Sequence, residues 1–174
     1  MPLRRDDVIK TEPAPAETRT DASYREAVGA DLPEIVRLWV LLKNEEVQYY
    51  PGVDINPLRG VQEIAQALRS GSTFMGVLEA APGRLVGFIH CDTFALQGGG
   101  SRTGVVVSCY VEPEYRHLHK SIWGKVERWA KQFGILRLQF QTLKGNRLME
   151  RFASSRAVPL STVYEMNLLT HEEK

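Results

Sequence analysis

Cys109-Tyr110-Val111-Glu112-Pro113-Glu114-Tyr115-Arg116 is the stretch on which the fold turns. Upstream of it, residues 102–112 are rich in β-branched side chains (Val105, Val106, Val107, Val111) and read as a strand. Downstream, Ile122, Val126, Trp129, Ala130 and Phe133 recur at helical spacing, with Lys125, Arg128, Lys131 and Gln132 turned outward. A helix is therefore predicted over about 120–133, ended by Gly134. Residues 135–141 alternate, Ile135, Arg137 and Gln139 against Leu136, Leu138 and Phe140, as a strand does. Strand, crossover helix and strand form a βαβ unit, so the two strands should be parallel.

The pattern extends in both directions. A short strand is predicted at 24–28, and a helix from Asp31, with Glu34 completing a capping box and Ile35, Leu38, Trp39 and Leu42 on one face. Tyr49-Tyr50-Pro51-Gly52 breaks it. Asn56 as N-cap and Pro57 at the first helical position open a second helix carrying Leu58, Val61, Ile64, Ala65 and Leu68, which Gly71 ends. Strands at 73–79 and 85–96 flank an Ala81-Pro82-Gly83-Arg84 turn. The turn at 97–101, with Gly98–Gly100, precedes a strand and not a helix, so it is a hairpin turn and not a phosphate loop. A short helix at 146–154 and a last strand at 163–169 follow. Residues 1–22 hold Pro13, Pro15 and mixed charges without periodicity and read as a flexible N-terminal arm; residues 23–174 form one domain.

With 174 residues, 43% apolar and 25% charged, the chain can bury a core without disulfide or metal. It contains no apolar run near the roughly 18 residues that a membrane span needs. The N-terminal MPLRRDDVIK lacks the apolar core of a secretory signal, so a cytoplasmic location is expected. The two cysteines, Cys91 and Cys109, read as reduced core thiols. Charge is balanced overall but not locally. Residues 113–157 carry ten basic and three acidic side chains, a net of +7, against −6 elsewhere. That asymmetry points to an anionic ligand, while the neutral whole and the lack of a Lys/Arg run argue against a dedicated nucleic-acid binder.

A strand running into a helix N-terminus leaves backbone N–H groups without intrahelical partners, and the helix dipole adds positive charge there. Together these make an anion site suited to a pyrophosphate. With the element order from 24 to 169, the Val111-Glu112-Pro113-Glu114-Tyr115-Arg116 run resembles the GNAT superfamily of N-acetyltransferases. The resemblance implies a mixed α/β (α+β) fold: a mostly antiparallel central sheet, one parallel βαβ unit and helices on both faces. It implies acetyl-CoA as co-substrate and no metal. The pyrophosphate would lie on the amides of His117, Leu118, His119, Lys120 and Ser121 beside Arg116, and the pantetheine along the strand at Tyr110 and Val111. Asn146 matches the family's asparagine in the short helix, and the strand at 135–141 would splay to admit the thioester.

Two departures stand out. The family's Arg-x-x-Gly-x-Gly turn is here Arg116-His117-Leu118-His119-Lys120-Ser121, with His119 and Ser121 in place of glycines. His119 would either crowd the phosphate or contact it. The family's general-acid tyrosine falls on Ala153, or on Phe152 if shifted by one, and neither can donate a proton. Candidate catalytic groups on the strand are Tyr110, Ser108 and Glu112, which share one parity and so one face. Glu45, Glu46, Tyr49, Tyr50 and Asp54 would suit the rim of a pocket for a cationic amine. His117-x-His119 lacks the cysteine or carboxylate ligands of a metal site, and His90 reads as a satisfied core histidine. The reading that follows is an acetyl-CoA-dependent N-acetyltransferase acting on an amine of unknown identity by direct transfer. The alternative is a GNAT-fold module without catalysis, serving binding or structure in a larger assembly. Because family members often dimerise, a homodimer is a further expectation.

Overall fold

The computed structural model describes residues 21–47, 55–95 and 102–140. Its five strands lie in one sheet in sequence order: β1 (Ser23–Glu26), β2 (Phe74–Ala81), β3 (Arg84–Ala95), β4 (Arg102–Val111) and β5 (Arg137–Gln139). The first four pair antiparallel, and β4 pairs β5 in parallel across the α3 crossover (His119–Gln132), as the βαβ reading requires. The β2–β3 hairpin turns on Gly83, whose φ of +77° is one that side-chain-bearing residues avoid.

The sheet has an apolar layer on each face. α1 (Leu32–Val47) and α2 (Pro57–Arg69) cover one, burying Ile35, Leu38 and Ile64 against Met75, Val77, Phe88 and Tyr110. α3 covers the other, burying Ile122, Val126 and Trp129 against Phe74, Leu78, Ile89 and Val111. Asn56 caps α2 as its sequence indicates, its side chain accepting the Arg59 N–H at 3.2 Å. No helix among the described residues is long and apolar enough to cross a membrane.

Several local readings are corrected. Asp31 does not cap α1. It closes a short 3-10 turn (Gly29–Asp31), accepts the Val28 N–H at 2.8 Å and binds Arg25 at 2.7 and 2.8 Å, so its carboxylate is committed before the helix begins. Arg25 also holds Glu79, tying β1 to β2 and keeping the Glu79 carboxyl down at about 2. On α2 the buried small residue is Ala67, while Leu58 is exposed. On α3, Trp123 is buried although the periodic reading does not include it, and Phe133, read as inward, is exposed because it stands just past the end of the helix. His90 is not satisfied: its Nε2 is buried without a hydrogen-bond partner among the described residues. The turn at 97–101, Tyr49, Tyr50, Asp54, the short helix with Asn146 and Ala153, and the strand at 163–169 lie outside the described residues.

Candidate active site

The site grows from one irregularity in β4. His90 pairs with Ser108 and Cys91 with Val106, so Val107 is an extra residue, a β-bulge. Ahead of it β5 pairs with Thr103–Val105. Val106 to Val111 has no strand neighbour on its outer side among the described residues. A strand edge of this kind can pair backbone to backbone with an extended ligand.

At its C-terminal end β4 runs through Glu112 into a 3-10 helix (Pro113–Leu118) and directly into α3. His117, Lys120 and Ser121 are exposed there, which places two basic residues beside the helix N-terminus. The Ser121 hydroxyl donates to Leu118 O at 2.7 Å. His119 turns inward and is 8% exposed. The Trp123 indole N–H donates to its ring at 3.1 Å, and Cys109 Sγ lies 3.9 Å from its Nε2. Burial holds His119 below its ordinary pKa and pushes the Cys109 thiol up to about 12. The side chain thus plugs the space under the turn, and the His119 backbone N–H is already donated to Arg116 O.

Arg116 reaches back to α1. It donates to Glu45 at 3.0 Å and, at 3.4 Å, to Val111 O. Both members of the Arg116–Glu45 pair are about half exposed, and such pairs contribute about 0–1 kcal/mol, so a phosphate could displace Glu45 at small cost. A second clamp is stronger. Arg37 of α1 donates to Glu112 at 2.9 Å, to Glu34 at 3.1 Å and to Leu85 O at 2.7 Å. Arg84 stands 3.7 Å from the same Glu112. Glu112 is thus an ion-paired anchor of the corner.

Ser108, Tyr110 and Glu112 do share the face toward α1 and α2, since the bulge lies before all three. Ser108 sits opposite His90. Tyr110 is buried, and desolvation raises its pKa, so its phenol stays protonated at neutral pH. Tyr110 and Glu112 line a cavity of about 530 Å³ with Leu41, Arg84, Glu114 and Tyr115. Glu45 lies at the corner through Arg116, while Glu46 binds Lys43. Among the described residues no three His, Cys, Asp or Glu side chains come together as metal ligands. Arg37, Arg84 and Trp123 escaped the sequence reading. Nothing in helical spacing distinguishes a charged residue that bridges to a distant strand from one that faces solvent.

An antiparallel sheet that gains a parallel β4–β5 pair through α3, with a bulge in β4 ahead of the helix start, is the arrangement of an acetyltransferase-type fold. The chain belongs to the acetyltransferase (GNAT) family, whose sequence model matches residues 36–156. Solved structures agree on the fold. Aminoglycoside antibiotic 6'-N-acetyltransferase AAC(6')-Ih from Acinetobacter baumannii is 14% identical with a TM-score of 0.62, covering 85% of this chain and 99% of its own. AAC(6')-Iy in complex with the bisubstrate analog CoA-S-monomethyl-acetylneamine is 16% identical with a TM-score of 0.60, covering 84% and 97%. Ribosomal-protein-alanine N-acetyltransferase from Brucella melitensis biovar Abortus 2308 is 14% identical with a TM-score of 0.64, covering 84% and 99%. No curated protein matches the sequence.

Proposed function

We propose that the chain transfers the acetyl group of acetyl-CoA directly to an amine. The observation that carries the reading is β4 running through Glu112 into the basic start of α3, with the outer side of Val106–Val111 unpaired among the described residues. The pantetheine would pair with that edge and the pyrophosphate would meet Arg116, His117 and Lys120 at the start of α3. A structural neighbour holds a CoA-based bisubstrate analog, which supports the choice of donor. The amine nitrogen would attack the thioester carbonyl, and a β4 amide near Val111 would stabilise the oxyanion. The C–S bond then breaks, the nitrogen gives up a proton as the amide forms, and CoA leaves as thiol after gaining one. Tyr110 is the candidate donor of that proton, because burial keeps its hydroxyl protonated. Glu112, held by Arg37 and Arg84, positions the corner; Ser108 is a further candidate on the same face. Neighbours are titled for aminoglycosides and for ribosomal-protein alanine, so the acceptor panel should hold both.

A second reading, a fold kept for binding without catalysis, is favoured by His119, whose buried ring fills the turn. The two are separated by following release of the CoA thiol with a panel of aminoglycosides and alanine-terminated peptides, and by weighing the products. A product 42 mass units (about one acetyl group) heavier than its amine, made faster than by acetyl-CoA alone, supports transfer. Thiol release at the blank rate with every amine, despite acetyl-CoA binding, supports the second reading.

A further inference from the structure

A second cavity, of about 420 Å³, lies at the other end of the sheet from the β4–α3 corner, a size ordinary for small-molecule sites. It sits between the end of β1, the start of β2, the end of α2 and the C-terminal half of α3. Four aromatic residues line it: Tyr24, Phe74, Trp129 and Phe133. Their rings form a continuous series, with centroids 6.5 Å apart for Tyr24–Phe74, 5.4 Å for Phe74–Trp129 and 5.9 Å for Trp129–Phe133. Two cations of α3, Lys125 and Arg128, also line it, and neither forms an ion pair among the described residues. Lys125 Nζ stands 5.1 Å from the centre of the Tyr24 ring.

A carboxylate would be held by Lys125 and Arg128, while an attached ring would lie against the aromatic wall at Trp129 and Phe133. Glu26 at the rim disfavours a second negative charge, so the fit is to a single anion. We infer that this cavity is a binding site for a small aromatic carboxylate, separate from the acetyl-transfer site. The inference does not rest on the acetyltransferase reading, since no residue is shared between the two.

The test is calorimetric titration of the full chain with 2-naphthoate, alongside its neutral analogue 2-naphthalenemethanol. Binding of the acid, at least ten-fold weaker for the alcohol, is expected. The K125Q/R128Q variant should lose ten-fold or more in affinity for the acid, with near-ultraviolet circular dichroism unchanged as the check of folding. Saturating acetyl-CoA should leave 2-naphthoate binding in place. No heat up to millimolar acid, equal binding of acid and alcohol, equal binding by the folded double variant, or displacement by acetyl-CoA would each overturn the site.

Discussion

At the scale of single residues, His119 decides how the turn works. The sequence shows a histidine where the family has glycine, and leaves open whether it crowds a phosphate or touches it. The structure answers with a third arrangement, in which the ring is buried and accepts the Trp123 N–H. That contact was not legible, because a lone histidine carries no signal of which way it turns. His119→Gly would empty the space and loosen the first turn of α3, costing about 2–3 kcal/mol in urea unfolding. The bond also sets a pH dependence, since an imidazolium has no lone pair for an indole N–H. Burial holds His119 below its ordinary value of 6.5, so the unfolded chain takes up the proton first. Its contribution is present above pH 6.5 and is lost as pH falls through the lower, folded value. Buried His90 acts in the same direction. Between pH 7.5 and 5.5, therefore, the wild type should lose more thermal stability than His119→Phe, which keeps only the His90 share. Equal losses would contradict the buried, neutral ring.

At the scale of elements, most of the plan was legible and the irregularities were not. The Asn56-Pro57 start of α2, the Gly83 turn and the parallel β4–β5 pair all follow from local chemistry that a sequence displays. The bulge at Val107 does not, because Val105-Val106-Val107 is an unbroken strand signal and two-versus-one pairing depends on the partner strand. Yet the bulge sets which face Ser108, Tyr110 and Glu112 take. Helix packing supplies a sign test. Gly60 lies inside α2, where alanine ordinarily stabilises a helix by about 1 kcal/mol. Here a Cβ would stand 2.6 Å from the Trp39 ring of α1, so Gly60→Ala should instead destabilise by about 1–2 kcal/mol. A melting temperature raised by alanine would refute the close α1–α2 contact. Arg37 provides the other element-scale test. Arg37→Met leaves Glu112 with only the distant Arg84, and should cost about 2 kcal/mol in denaturant unfolding. Arg37→Lys, which restores charge but not the forked geometry, should recover part of it.

At the scale of the whole molecule, the charge map and the fold agree. The basic stretch that begins after β4 places Arg116, His117 and Lys120 around the start of α3, beside the open strand edge. A neutral protein with one basic corner suits a small polyanion. The measurement that tests this most directly is calorimetric titration of the full chain with acetyl-CoA at 50 and 300 mM salt. Micromolar binding that weakens several-fold at the higher salt, and further when Arg116→Ala and Lys120→Ala are combined, is the expected result. No binding up to millimolar acetyl-CoA, or binding indifferent to both salt and those substitutions, would contradict a cofactor site at the β4–α3 corner.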